Sequence, residues 1–289
     1  MSNDDHVTYV GKQKPARLVY SMLASYGAAR GGLLPGSWFV AALSAFGHSP
    51  TSIRQTLYRM SQEGSLETVV HGRHKLYRLS SIGRASTDAG TARFHALPTT
   101  DWDGLWTVVS YEFRTDQRRL RDLVSGLLSV EGFASMARAT YIHPRDRAQR
   151  LTQVFTEQAL IDQVHVFRAK RQDGLSDTEF VYRHWDLDTL RRGYDAFVRE
   201  FRPLARRRQW SRIDPTQAVA VRFRLVLTYL ETAWRDPDIP LPLLPARWPA
   251  PAARELAAEL YQCLNGSLLE YGDHVFHQLP ETVRRACVA

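Results

Sequence analysis

Between Ser49 and Ser80 the apolar positions fall first at helical and then at strand-like spacing. Ile53, Leu57 and Met60 stand at i, i+4 and i+7, which lines one face of a helix, with Ser49 as N-cap before Pro50 and Gly64 as the stop. Thr51, Gln55, Tyr58 and Gln62 project from the opposite face, with Arg54 and Arg59 at its flanks. Beyond Gly64, Leu66–Val70 and Leu76–Ser80 read as two short strands around His71, Gly72, Arg73, His74 and Lys75, a loop with no acid in it. The pattern predicts a helix followed by a basic hairpin.

Upstream, Leu18 and Met22, with Val19, Leu23 and Tyr26, predict a helix over about Pro15–Tyr26. The glycine-rich run from Ala28 to Pro35 lacks the Gly-x-x-x-x-Gly-Lys pattern of a phosphate loop and reads as a linker. Phe39, Leu43 and Phe46 place a second helix over about Gly36–Phe46. Three helices and a two-stranded hairpin are the order of a winged helix-turn-helix, whose third helix enters a DNA major groove. A face offering an amide, a phenol and guanidinium groups suits base edges and phosphates, although a solvated basic hairpin has the same composition.

Ser80–Pro98, rich in small residues, predicts a weak helix or a linker. After it come a strand at Leu105–Phe113, a helix at Gln117–Val130, a strand at Phe133–His143, a helix at Pro144–Gln158, a strand at Val164–Ala169 and a fourth strand-like run at Thr178–Arg183. That order predicts a ferredoxin-like α+β unit. From Trp185 the chain reads as mostly helical, with Asp186 as N-cap of the first helix and further helices at Gln217–Thr232 and Pro251–Leu264. The proline-rich WRDPDIPLPLLPARWPAP between the last two predicts an extended segment held by Trp234 and Trp248. The expected fold class is α+β and multidomain: a winged helix-turn-helix over 1–96, a ferredoxin-like domain over 97–183 and a mainly helical domain over 184–289.

Charge sharpens the picture. The chain of 289 residues carries a formal +8, and residues 1–96 hold eleven Lys and Arg against five Asp and Glu, so +6 of the excess lies with the helix and hairpin. Such asymmetry steers one end of a protein toward a polyanion. A run of about eighteen apolar residues is absent and the first fourteen residues are too polar for a secretory core, so the expected location is the cytoplasm, with no membrane partner. Cys263 and Cys287 read as free thiols, and the scattered histidines do not predict a metal site. Two rival readings remain at this point. A metal-dependent nuclease would use Glu112 at the end of the first strand of the middle domain, with Asp116 farther off. A nonspecific architectural DNA binder would need basic charge over the whole chain.

Six landmarks in order, SMLASYGAARGG, SIRQTLYRMSQEG, GRHKLYRLSSIGR, WDGLWTVVSYEF, WDLDTLRRGYDAFVREFRPL and RDPDIPLPLLPARWP, carry a resemblance to PaaX-type transcriptional regulators, the phenylacetate-degradation repressors, over nearly the full length. The resemblance implies a homodimeric, non-enzymatic repressor of an aromatic-catabolic operon. It would bind double-stranded operator DNA, use no cofactor, and be released by an aromatic acyl-coenzyme A such as phenylacetyl-coenzyme A. It passes DNA reading to Thr51, Ser52, Arg54, Gln55, Tyr58 and Arg59 and the wing role to His71, Arg73, His74 and Lys75. No motif fixes the effector contacts: Arg191, Arg192, Trp185 and Trp234 are candidates, with Arg206–Arg208 for phosphates. The competing reading is a solvated helix face for the arginines and core packing for Trp185.

Overall fold

Ser49 Oγ accepts the backbone N–H of Ser52 at 3.2 Å and Pro50 follows at the first turn, so the helix anticipated there starts as its sequence dictates. The computed structural model describes residues 3–114, 116–172, 174–205 and 213–287. In chain order the first elements are α1 (Asn3–Gly11), α2 (Pro15–Met22) running into a π-helical turn (Leu23–Gly27), β1 (Leu34–Pro35), α3 (Gly36–Ser44), α4 (Pro50–Gln62), β2 (Leu66–His71), β3 (His74–Leu79) and α5 (Ser81–His95). The middle of the chain forms β4 (Trp106–Tyr111), α6 (Arg118–Val130), β5 (Ala134–Ala137), β6 (Thr140–His143), α7 (Ala148–Glu157) and β7 (Val164–Ala169). The remainder is helical: α8 (Asp177–His184), α9 (Leu187–Ala205), α10 (Pro215–Ala233), α11 (Ala250–His277) and α12 (Glu281–Ala286).

Packing gathers these elements into two compact units, one of residues 1–95, 197–231 and 253–289, the other of residues 96–196 and 232–252. In the first unit α2, α3 and α4 bury Leu18, Met22, Trp38, Phe39, Ile53, Leu57 and Met60 in one apolar cluster, which Val219, Phe223, Leu268 and Tyr271 of α10 and α11 complete. Hydrogen bonds tie the same partners: Trp38 Nε1 donates to the Gly272 carbonyl at 3.0 Å, Tyr271 O–H to the Ala42 carbonyl at 2.7 Å, and Tyr26 O–H to Asp273 Oδ1 at 2.8 Å. Gly272 lies flat beneath Tyr26, which stacks on Trp38 at 5.0 Å; a Cβ there would fall 2.3 Å from a Tyr26 ring carbon.

Several elements of this unit differ from expectation. The polar amino-terminal run forms α1, seated by His6 and Val10, two residues on one face and too few to register as a period. The connection after Ala28 ends in β1, which pairs antiparallel with β3 and makes a three-stranded sheet of order β1-β3-β2. Ser81–His95, anticipated as a weak helix or linker, is a full helix. The last long helix runs to His277 rather than to Leu264, because Leu268, Tyr271 and Val275 are buried and carry it past two glycines.

In the second unit the elements follow the order β4-α6-β5-β6-α7-β7, and the antiparallel sheet has the order β5-β6-β4-β7. This is the ferredoxin-like topology anticipated. Alternation along β4 sends Val109 and Tyr111 toward Val124, Leu128, Leu151 and Phe155 of α6 and α7. Trp106 and Val108 face the other way, toward Phe180 and Val181 of α8, Leu187 and Leu190 of α9, and Ile239, Leu243 and Leu244 of the proline-rich strap.

Three expectations are corrected here. Thr178–Arg183 is the helix α8, not a strand: Ser176 Oγ accepts the Glu179 N–H at 3.2 Å while Glu179 Oε2 accepts the Ser176 N–H at 3.0 Å, a reciprocal capping box. The single strand expected over Phe133–His143 is a hairpin broken near Ala139, whose φ is 60°. The strap contains one 3-10 turn, Leu241–Leu243, and is anchored by Ile239, Leu243 and Leu244 with Trp248 packed alongside; Trp234 is 51% exposed and lies outside that apolar cluster.

Polar contacts fix the strap to the sheet. His143 is fully buried; its Nε2 donates to the Pro237 carbonyl at 2.9 Å and its Nδ1 accepts the Arg145 N–H at 3.0 Å. Both nitrogens are thus committed to the neutral ring, and burial pushes its pKa down to about 3. Asp238 forms ion pairs with Arg145 and Arg147.

Two outcomes follow from this packing. Gly272→Ala is expected to destabilise the fold by about 1–3 kcal/mol through overpacking against Tyr26. Gly266→Ala, exposed with nothing near its Cβ, should stabilise it by about 0.5–1 kcal/mol through helix propensity. Denaturant titration of both variants checks the opposite signs. For His143, the unfolded chain takes up a proton near pH 6.5 while the folded chain resists it down to about 3. Stability is therefore complete above about pH 6.5 and falls as the pH drops toward 3, and His143→Phe should flatten that slope in unfolding measured across the range.

Candidate nucleic-acid interface

The stripe Ile53, Leu57 and Met60 is buried, and Thr56 with it, so α4 turns its other face outward. Thr51, Arg54, Gln55, Tyr58, Arg59 and Gln62 are exposed there, and Ser52 is half-buried beside the N-cap. Tyr58 is 63% exposed, a large aromatic ring held in solvent with no folding reason for its place.

The hairpin is tighter than anticipated. His71 pairs with His74, leaving only Gly72 and Arg73 in the turn, and Gly72 takes a φ of 58° that a two-residue hairpin turn requires. His71, Arg73 and Lys75 are exposed at this tip and His74 is half-buried.

Helix and hairpin are locked together. Ser61 Oγ on α4 lies 3.1 Å from Thr68 Oγ1 on β2, and Ser80 Oγ donates to the Gly64 carbonyl at 2.6 Å while accepting the Gly83 N–H of α5 at 3.0 Å. The ten expected DNA-contacting residues therefore stand on one braced framework. Their charge is less than the residue count implies, because Arg59 is paired with Glu63 at 2.8 Å and, on β3, Arg78 with Glu67 at 2.7 Å. Arg54, Arg73 and Lys75 make no ion pair among the described residues.

The effector candidates are not brought together as a set. Arg191 lies over the Trp248 ring at 5.2 Å, and Arg192 donates to Thr189 Oγ1 at 2.8 Å. Trp185 is half-buried within the core cluster of the second unit and also lines a cavity; Arg206–Arg208 lie outside the described residues. The cavity is completed by Thr189, Gly193, Thr232 and Arg235, four residues that carry no local signal in the sequence. Only the adjacency of two of the quoted landmarks in space reveals them.

Glu112 is exposed just past β4 and Asp116 pairs with Arg114 at 3.5 Å. Among the described residues no three His, Cys, Asp or Glu side chains gather as a metal site, so the nuclease reading gains no support from the geometry. No helix is long and apolar enough to cross a membrane among those residues.

Comparison with known families matches the chain in three consecutive parts: PaaX-like protein over residues 14–83, PaaX protein central Cas2-like domain over 99–181, and PaaX-like protein C-terminal domain over 185–272. The chain belongs to the PaaX family. It is similar to the transcriptional repressor PaaX of Escherichia coli strain K12, with 27% identity over 238 residues, covering 81% of this chain and 75% of that protein. The solved structure of the protein Rv0674 from Mycobacterium tuberculosis superposes with a TM-score of 0.62, covering 89% of this chain and 97% of that one. At 20% identity that likeness speaks for the fold alone. The Cas2-like match coincides with the ferredoxin-like sheet described above.

Proposed function

We propose that this chain is a DNA-binding transcriptional repressor whose α4 enters the major groove as the recognition helix of a winged helix-turn-helix, with the β2–β3 hairpin as its wing. The observation that carries the reading is the outward face of α4 beside a braced hairpin, with Arg54 on the helix and Arg73 and Lys75 on the hairpin making no ion pair among the described residues. The repressor name of the Escherichia coli relative supports the same reading. Thr51, Gln55 and Tyr58 read base edges, and Ser52, Arg54 and Arg59 meet the flanking backbone. His71, Arg73, His74 and Lys75 grip the phosphates from the wing. A homodimer presents two such helices to half-sites about 34 Å or a multiple apart. An aromatic acyl-coenzyme A releases the DNA by binding the released form more tightly than the bound one.

Two substitutions separate reading from attraction. Gln55→Ala should cost on the order of 1–3 kcal/mol at one base step of the operator and leave random duplex binding nearly unchanged. Equal losses on both duplexes, measured by fluorescence anisotropy, would remove Gln55 from the base-reading set. Lys75→Ala should weaken binding to every duplex and lower the slope of log affinity against log salt by about 1. An unchanged slope would show that the wing tip does not touch phosphate.

A further inference from the structure

Within the second unit, two chain segments line a half-open cavity of about 230 Å³: Trp185 to Gly193, leading into and along the first turns of α9, and Thr232 to Pro237, where α10 gives way to the strap. Its apolar walls are Trp185, Leu190 and Pro237, and its polar ones include Thr189, Thr232 and Arg235.

The indole of Trp185 is fixed before any ligand arrives. Its Nε1 donates to the Gly132 carbonyl at 3.0 Å, and its ring lies 6.4 Å from that of Trp106 at an interplanar angle of 26°. What remains of its surface is a preset flat apolar wall. The polar groups divide into committed and uncommitted ones. Asp186 caps α9 by accepting the Thr189 N–H at 3.0 Å, and the Thr189 hydroxyl accepts from Arg192. The Thr232 hydroxyl and the exposed Arg235 guanidinium make no hydrogen bond or ion pair among the described residues. A flat apolar wall facing an uncommitted cation and hydroxyl matches a ring that ends in an oxygen acceptor.

Size narrows the class. A volume of this order equals roughly eight waters at about 30 Å³ each, below the 300–1,000 Å³ usual for drug-sized ligands. It takes a ring with a short side chain and leaves any nucleotide outside. The formal charges at the rim, Arg235 and Asp186, cancel, so both a carboxylate and an uncharged acyl oxygen are admissible.

We propose that this cavity binds the aromatic end of a small acyl compound, with the ring against Trp185 and the acyl oxygen toward Arg235 and Thr232. The assignment rests on the effector reading above and gives that effector a location. The free acid and its thioester share this chemistry.

The test is calorimetric titration of the full chain, without DNA, with phenylacetate, phenylacetyl-coenzyme A, benzyl alcohol and coenzyme A. Saturable binding is expected for phenylacetate or its thioester, with benzyl alcohol and coenzyme A at least tenfold weaker; the tighter of the first two identifies the source. Arg235→Gln should weaken that binding about tenfold, and the near-isosteric Thr232→Val severalfold, with the thermal midpoint of the ligand-free protein unchanged. Failure of all four compounds to bind, or native-like binding by both variants, would overturn the assignment. Release of operator DNA by the same compound is scored separately. Binding that both variants weaken, but that releases no DNA, keeps the cavity and discards the effector reading. Release at an unchanged concentration in both variants keeps the effector reading and discards the cavity.

Discussion

The contact of Tyr26 with Gly272 is the constraint on which the first unit depends. The amino-terminal helices do not close a core among themselves; α10 and α11, nearly two hundred residues later, supply Phe223, Leu268 and Tyr271 to the same cluster that holds Ile53 and Leu57. Tyr26 can stack on Trp38 only because position 272 has no side chain, and Trp38 in turn donates to the carbonyl of that glycine. The helix proposed to read DNA is therefore seated on residues from both ends of the chain. Burial of several aromatic and aliphatic side chains, at about 25 cal/mol per Å² of apolar surface, makes such a shared core far stronger than any surface ion pair around it.

In the second unit the organising contact is polar. A ferredoxin-like sheet covered on one face by α6 and α7 leaves Trp106, Val108 and Ile142 on the other, and an open apolar face of that kind must be covered. The strap covers it, together with α8 and the start of α9. Five prolines at 237, 240, 242, 245 and 249 keep the strap from pairing as a strand, so its register is set by side chains and carbonyls instead: the neutral imidazole of His143 on Pro237, and Arg145 and Arg147 on Asp238. A buried histidine with both nitrogens engaged selects one tautomer and resists protonation, which makes this junction sensitive to acid.

Electrostatics at the proposed interface show why counting charged residues overstates attraction. Glu63 and Glu67 each neutralise an arginine on the helix or hairpin, and such exposed pairs add little stability while removing a cation from the field. What is left is a small set of cations without an ion pair among the described residues, around a polar helix face carrying an amide and a phenol. That distribution favours discrimination by shape and hydrogen bonding over bulk attraction.

The sequence by itself determined whatever depends on neighbours within a few residues: the faces of α2, α3 and α4, the Ser49 and Asp186 caps, the two strands of the hairpin, and β4, α6, α7 and β7 of the middle of the chain. Each of these is written in a local period or a cap, and propensity and burial agree there. The capping box of Ser176 and Glu179 is equally local, yet the adjacent apolar pair Phe180 and Val181 reads alike in strand and helix, so periodicity does not separate α8 from a strand. Tertiary structure alone decided the rest. It gave α11 its length by burying Leu268 and Tyr271, recruited Leu34 and Pro35 as a third strand against β3, left Trp234 about half exposed, paired Arg59 and Arg78 with acids, and brought Trp185 and Arg235 to one cavity. These outcomes rest on partners up to some two hundred and fifty residues apart in the chain, and no periodicity encodes which distant side chain will fill a given space.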